Sequence, residues 1–221
     1  MSVVALVPAA GRGERLGAGV PKALVSVRGE PLLVHAVRGL LAAGCVHSVV
    51  VAAPVSDVDT MTRVLAFAGS HARVVPGGSS RTQSVRLALG AAPPDTTVVL
   101  VHDAARAFTP AELVKAVVAR VDGGADAVIP VLPVADTIKR VDAAGRVAAT
   151  PDRADLRVVQ TPQGFRAEVL RRAYDAYPDA TTDDAGLVER LGVPVDTIPG
   201  HPYAMKITTP FDLAVAEAIL R

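Results

Sequence analysis

Five short runs of almost unbroken aliphatic residues constrain the fold of this chain more than any other feature: Val3–Val7, Ser48–Ala53, Ala72–Val75, Thr97–His102 and Ala127–Val131. Between them lie segments with helical spacing of apolar residues, at Pro31–Ala43, Val58–Ala68, Arg81–Leu89 and Ala111–Val121. A strand that is apolar at every position, not every second one, must be covered on both faces. That is the condition of a parallel sheet between two helical layers. Repeated strand–helix–strand units with right-handed crossovers then predict a three-layer, Rossmann-like α/β fold with a mostly parallel sheet. Ligands of such sheets sit at the carboxyl ends of the strands. The polar segments that follow three of the runs, Ala9–Lys22, Pro76–Ser84 and Asp103–Arg106, therefore converge on one edge.

The pattern breaks after Pro133. Thr137-Ile138-Lys139-Arg140-Val141 alternates, Asp142-Ala143-Ala144-Gly145 reads as a turn, and Arg146-Val147-Ala148-Ala149-Thr150 returns. This predicts a β-hairpin over 136–151 projecting from the core as a surface arm or dimer contact. A strand near Leu156–Gln160, helices at Glu168–Ala176 and Asp184–Leu191, a strand at Val193–Ile198 and a helix from Pro210 complete a single domain over 1–221.

Composition removes several function classes. Aromatic residues are 3% and tryptophan is absent, so stacking platforms for single-stranded nucleic acid are not expected. A formal net charge of +1 supplies no field for a duplex or an anionic membrane. The single cysteine, Cys45, excludes an internal disulfide and suits a reducing compartment. No signal-peptide pattern precedes the first strand, and no apolar segment reaches the ~18 residues of a membrane span. The expectation is a soluble, cytoplasmic protein that binds neither nucleic acid nor membrane.

The segment Pro8–Lys22 carries Gly11, Gly13, Gly17 and Gly19 together with Arg12, Arg15 and Lys22. Glycines let a backbone approach a ligand and aim its N–H groups at anionic oxygens, and the cations add fixed positive charge. A polyphosphate suits such a loop. It is not a Walker loop, because no Gly-Lys pair occurs, and it is not a dinucleotide fingerprint, because Leu16 stands where the third glycine belongs. Four glycines and Pro21 disfavour any helix before Lys22.

Two further constellations share that edge. Pro76-Gly77-Gly78-Ser79-Ser80 follows a strand and opens a helix, with Ser79 or Ser80 as its cap and Ser84 one turn inside, within reach of a base or ribose. In Val101-His102-Asp103-Ala104-Ala105-Arg106, a carboxylate ends a buried strand and needs a partner. Arg106 could neutralise it, or a divalent cation or substrate hydroxyls could engage it. Thr182-Asp183-Asp184 reads as a helix N-terminal acidic pair and Thr209-Pro210 as a cap. Of only four lysines against nineteen arginines, Lys22 and Lys206 fall in candidate phosphate sites. No H-E-x-x-H, C-x-x-C or G-x-S-x-G motif occurs, so the chemistry indicated is positioning and charge stabilisation.

In this order, the motifs resemble the 2-C-methyl-D-erythritol 4-phosphate cytidylyltransferases of the non-mevalonate isoprenoid pathway, within the nucleotidyltransferase superfamily. The matching stretches are Pro8-Ala9-Ala10-Gly11-x-Gly13-x-Arg15 with Pro21-Lys22, Gly77-Gly78-x-x-Arg81-x-x-Ser84 and Val101-His102-Asp103-Ala104-Ala105-Arg106. Asp136-Thr137-Ile138-Lys139, Gln160-Thr161-Pro162-Gln163-x-Phe165, Thr182-Asp183-Asp184-Ala185 and Lys206-Ile207-Thr208-x-Pro210 continue it almost end to end. The resemblance implies a nucleotidyltransferase fold, transfer of the cytidylyl group of CTP to a polyol phosphate, Mg2+ on the triphosphate and a homodimer through the 136–151 hairpin. It assigns Arg15 and Lys22 to the transition state at the α-phosphate, and Ala9, Ala10, Gly11, Gly78 and Ser84 to the cytidine. Asp103, Arg106, Thr161 and Lys206 fall to the methylerythritol phosphate, with Thr137 and Arg153 reaching in from the partner's hairpin. The metal's ligands stay open. Ala23, Ser79, Ala107 and Ala204 depart from the family's commoner Gln, Asp, Pro and Asn. A ribitol 5-phosphate cytidylyltransferase, or a non-catalytic nucleotide-binding regulator on the same scaffold, are the alternative readings.

Overall fold

A computed structural model describes residues 1–11, 19–177 and 183–220. Its strands and helices follow in the order β1 (Val3–Pro8), β2 (Ser26–Val27), β3 (Glu30–Pro31), α1 (Leu32–Ala42), β4 (Ser48–Ala53), α2 (Val58–Val64), β5 (Ala72–Pro76), α3 (Arg81–Gly90), β6 (Val98–Val101), α4 (Ala111–Asp122) and β7 (Ala127–Pro133). Then come β8 (Arg140–Val141), β9 (Val147–Ala149), β10 (Arg157–Val159), β11 (Gln163–Arg166), α5 (Ala167–Ala176), α6 (Ala185–Arg190), β12 (Asp196–Pro199) and α7 (Pro210–Ile219).

Both faces of β1 are sealed, and its alternate residues feed two different cores. Val3, Ala5 and Val7 join Leu33, Val37, Val114 and Val117 on the side of α1 and α4. Val4 and Leu6 join Val85, Phe165, Leu170 and Tyr174 on the side of α3 and α5. The expected three layers follow from this division. The sheet runs β10-β7-β11-β6-β1-β4-β5, with β12 beside β7. Pairs β1/β4, β1/β6, β4/β5 and β12/β7 are parallel.

Three ladders are antiparallel: β11 with β6, β11 with β7 and β10 with β7. Strand β11 has no aliphatic run because Gly164 occupies its centre. A Cβ there would overlap Val117 of α4, so the helix packs directly onto backbone. The helix expected over Val58–Ala68 stops at Val64 and passes into three-residue turns, with Gly69 at a φ of +51°. The arm over 136–151 is a hairpin, but only Arg140–Val141 and Val147–Ala149 pair. Asp142 closes its turn by accepting from the N–H groups of Ala144 and Arg146, both at 2.9 Å.

A third, smaller core draws remote segments together. Val25 and Val27 after Lys22, Ala107 after Arg106, and Ile207 after Lys206 pack with Leu32 and with Ala216 of α7. Helix α7 begins with a reciprocal cap: Thr209 Oγ1 accepts from the N–H of Asp212, and Asp212 accepts from the N–H of Thr209. Arg28, at a φ of +51°, donates its N–H to Glu217 at 3.1 Å and pins the β2–β3 turn to this helix.

Candidate active site

The carboxyl ends of β1, β4, β5 and β6 surround a cleft of about 1190 Å³. Lys22, Arg81, Asp103 and Lys206 line it, with Ala9, Ala10, Gly11, Gly78 and Ser84 along the first and second loops. The sequence placed most of these side chains at one sheet edge, and the structure brings them together there. Arg15 lies outside the described residues, as does Thr182.

The first loop is pinned where it closes: the N–H of Lys22 donates to the carbonyl of Gly11 at 3.3 Å. Lys22 opens a 3-10 turn with Leu24, and Ala23 is buried in the main core, so the turn that carries the lysine is rooted. Burial accounts for a small residue at position 23.

The second loop is built from inside. The N–H of Gly77 donates to the Ala53 carbonyl at 2.7 Å, and a Cβ on Gly77 would stand 3.0 Å from Ala10. Ser84 is 1% exposed; its hydroxyl accepts from the N–H of Gly78 at 3.1 Å and donates to the Ser80 carbonyl at 2.8 Å. Its hydroxyl proton is thus spent on the loop. Ser80 caps α3, accepting from the N–H of Gln83. Gln83 accepts from both the N–H and the hydroxyl of Ser79, at 2.8 and 2.9 Å. Sequence reasoning missed Gln83. It lies over Gly78, where a Cβ would collide with it, so the close glycine was the available signal.

Asp103 is the electrostatic centre. Lys206 Nζ lies 2.9 Å from one carboxylate oxygen and Arg106 Nε 3.7 Å from the same one, while Arg81 Nε is 3.4 Å from the other. Burial pushes this carboxyl up, but Arg81, Lys206 and Arg106 outweigh it and hold it far below the usual carboxylate range. Its backbone N–H donates to Thr161 Oγ1 at 3.0 Å, and that hydroxyl also meets His102 Nδ1 at 3.0 Å. Burial lowers His102 to a pKa of about 4, against the opposing pull of Asp103, so the ring is neutral at pH 7.

Arg106 and Thr161 do not line the cleft. Arg106 sits behind it, donating to the carbonyls of Ala204 at 2.7 Å and Val159 at 3.1 Å. It braces the chain just before Lys206 and just before Thr161. Ala107 and Ala204 are both buried in this brace, which accounts for small residues there. Thr137 and Arg153 also lie off the cleft of their own chain. Thr137 is exposed on the arm, and Arg153 donates to the Ala135 carbonyl at 2.5 Å.

The acidic pair Asp183-Asp184 does more than begin a helix. Gln163 donates to Asp183 at 2.9 Å, and Asp184 accepts from Arg81 at 2.7 Å and from the Tyr174 hydroxyl at 2.5 Å. No group of three or more His, Cys, Asp and Glu side chains converges among the described residues. The buried carboxylate of the cleft already faces cations on both oxygens, so these residues do not form a cage for a resident metal. Among the described residues no helix is long and apolar enough to cross a membrane.

Comparison with known proteins gives a consistent result. The family model for 2-C-methyl-D-erythritol 4-phosphate cytidylyltransferase (IspD) matches residues 3–221. The chain is 66% identical over 223 residues to the 2-C-methyl-D-erythritol 4-phosphate cytidylyltransferase of Saccharopolyspora erythraea, covering 100% of both chains. The corresponding protein of Frankia casuarinae is 57% identical over 218 residues, covering 99% of this chain and 81% of that one. Among solved structures, the 4-diphosphocytidyl-2C-methyl-D-erythritol synthase of Anaerococcus prevotii superposes with a TM-score of 0.86 at 27% identity, covering 99% of this chain and 98% of that one. The cytidylyltransferase of Thermus thermophilus superposes at 0.79 with 35% identity and the same coverage.

Proposed function

The chain belongs to the 2-C-methyl-D-erythritol 4-phosphate cytidylyltransferase family, and from that premise we propose how its cleft joins the two substrates. The enzyme transfers the cytidylyl group of CTP to 2-C-methyl-D-erythritol 4-phosphate in the non-mevalonate isoprenoid pathway. A phosphate oxygen of the acceptor attacks the α-phosphorus, a new P–O bond forms, and the bond to the β-phosphate oxygen breaks with its electron pair leaving on pyrophosphate. A phosphate monoester has its second pKa near ~6, so the attacking oxygen is already anionic at pH 7 and no general base is required. The obstacle is the meeting of two anions.

The convergence of Lys22 and Lys206 on one cleft carries the reading, because fixed cations offset that repulsion where charge develops. In this assignment the Pro8–Gly11 and Gly77–Ser84 loops hold the cytidine and triphosphate, with Ser84 acting through the loop it organises. Lys22, with Arg15 from the sequence match, serves the α-phosphate. Lys206 takes the acceptor phosphate, and Asp103 orients it. Arg106 and Thr161 act as braces of that subsite. Mg2+ enters as part of the CTP complex, shielding the triphosphate, in keeping with its habit of binding through substrate phosphates.

We read 1–221 as one nucleotidyltransferase domain with 136–151 as a dimerisation arm. Val141 and Val147 are 56% and 62% exposed on a two-stranded hairpin, a form that is marginal alone in water. That exposure supports a second copy covering the arm and bringing Thr137 and Arg153 to the neighbouring cleft. Use of CTP, an intracellular nucleotide, supports a cytoplasmic location. The test is steady-state pyrophosphate release with CTP and either 2-C-methyl-D-erythritol 4-phosphate or ribitol 5-phosphate. Turnover confined to the first acceptor is expected; preference for ribitol 5-phosphate, or CTP binding without turnover, would overturn the reading.

A further inference from the structure

Arg81 occupies a position that its helix does not favour. It is the first residue of α3, where the backbone dipole disfavours a cation, and the first turn holds no acidic residue to offset it. Two carboxylates from elsewhere in the chain engage it instead. Its Nη2 donates to Asp184 at 2.7 Å, and its Nε faces Asp103 at 3.4 Å. Asp184 is 1% exposed and is held in turn by the Tyr174 hydroxyl, so the far side of the guanidinium is locked.

The near side is not spoken for. Among the described residues nothing accepts from Nη1, and that nitrogen is not among the buried unpaired atoms. Arg81 lines the cleft with its side chain 28% exposed. It springs from the loop that would carry the nucleotide and shares Asp103 with Lys206, the cation of the acceptor subsite. It is the side chain that joins the two halves of the cleft.

We propose that Arg81 is a further catalytic residue of the transfer, donating from Nη1 to the phosphate oxygens where CTP and the acceptor meet, while Asp184 and Tyr174 hold it in place. This rests on the assignment of the cleft to those two substrates. A planar guanidinium fixed at two of its corners offers a pre-set edge to a phosphate, which a lysine ammonium does not. Asp103 then serves both cations, meeting Arg81 through one oxygen and Lys206 through the other.

The competing role is purely structural, with Arg81 present only to neutralise buried Asp184. Arg81→Gln and the double variant Arg81→Gln/Asp184→Asn separate the two. The single variant strands buried Asp184, whereas the double variant replaces that charged pair with neutral groups, and in both Asp103 keeps Lys206 and Arg106. Pyrophosphate release under single-turnover conditions and thermal unfolding are measured for each, alongside the parent. The double variant is expected to regain the stability lost by the single one yet to remain at least ~10²-fold slower than the parent. Recovery of the double variant to within a few-fold of the parent rate would overturn the proposal while leaving the cytidylyltransferase reading intact. A parent enzyme that binds CTP but transfers nothing to the acceptor would overturn both.

Discussion

Replacing Asp103 with Asn tests the electrostatic centre of the cleft, because it deletes one charge while keeping the shape. The Asp103 side chain is 11% exposed and faces Lys206 at 2.9 Å, Arg81 at 3.4 Å and Arg106 at 3.7 Å. Removing one partner of a buried ion pair costs about 3–5 kcal/mol, since the remaining charge stays desolvated. Lys206 is 43% exposed and solvent screens its share, and Arg81 retains Asp184. The lower end applies, about 3 kcal/mol, or roughly 6–12 °C in Tm for a chain of this length. The pH dependence supplies the sharper check. Cations hold the folded pKa of Asp103 below its unfolded value near ~3.9. Its contribution is therefore complete above about pH 4 and is lost as pH falls through the range below. Thermal melts of parent and Asp103→Asn from pH 8 downward should differ by a constant interval until about pH 4, then converge in acid. A gap absent at pH 7, or one that widens in acid, would refute the assignment of this carboxylate as an ionised hub.

Lys22→Ala should lower kcat by at least ~10²-fold, as loss of a transition-state donor does, and a single-turnover rate near that of the parent would remove the lysine from the chemistry. Gly164→Ala should destabilise by roughly 1–3 kcal/mol in urea melts, because the added methyl meets Val117 of α4 on a strand fixed by two ladders. Thr209→Ala removes the acceptor for the Asp212 N–H and should cost about 1 kcal/mol by the same assay, with Thr209→Ser restoring most of it. Mixing the inactive variants Lys22→Ala and Arg153→Ala should restore pyrophosphate release if each cleft takes its arginine from the other copy; no recovery after subunit exchange would place Arg153 outside the partner's site.

The fold was legible where burial leaves a mark on every residue of a segment. Strand β4 falls on the boundaries read from Ser48–Ala53, because a strand sealed on both faces admits only apolar side chains. Strand β11 left no such mark. Its place in the sheet depends on a glycine yielding space to Val117 of α4, a fact about a neighbour 47 residues away in sequence. The site divides in the same way. Asp103 stood out because a carboxylate that ends a buried strand needs a partner, and Lys22 and Lys206 because two of only four lysines fall in candidate phosphate sites. Gln83 and Asp184 did not, since a polar residue near a helix start is ordinary until its partner is known. Ser84 and Arg106 drew attention as ligand contacts; the Ser84 hydroxyl donates to the Ser80 carbonyl, and Arg106 donates to the Ala204 and Val159 carbonyls while its Nε faces Asp103.

By itself the sequence determined the three layers and the sheet edge that holds the cleft, because strand burial and strand direction are periodic, local properties. Tertiary structure decided which cation faces which carboxylate. Arg81 and Asp184 are 103 residues apart, and Lys206 meets Asp103 only because Ile207, Val27 and Ala107 share one small core beneath α7. Ion pairs fall off steeply with distance and orientation, so their partners are fixed by packing, which no spacing along the chain encodes.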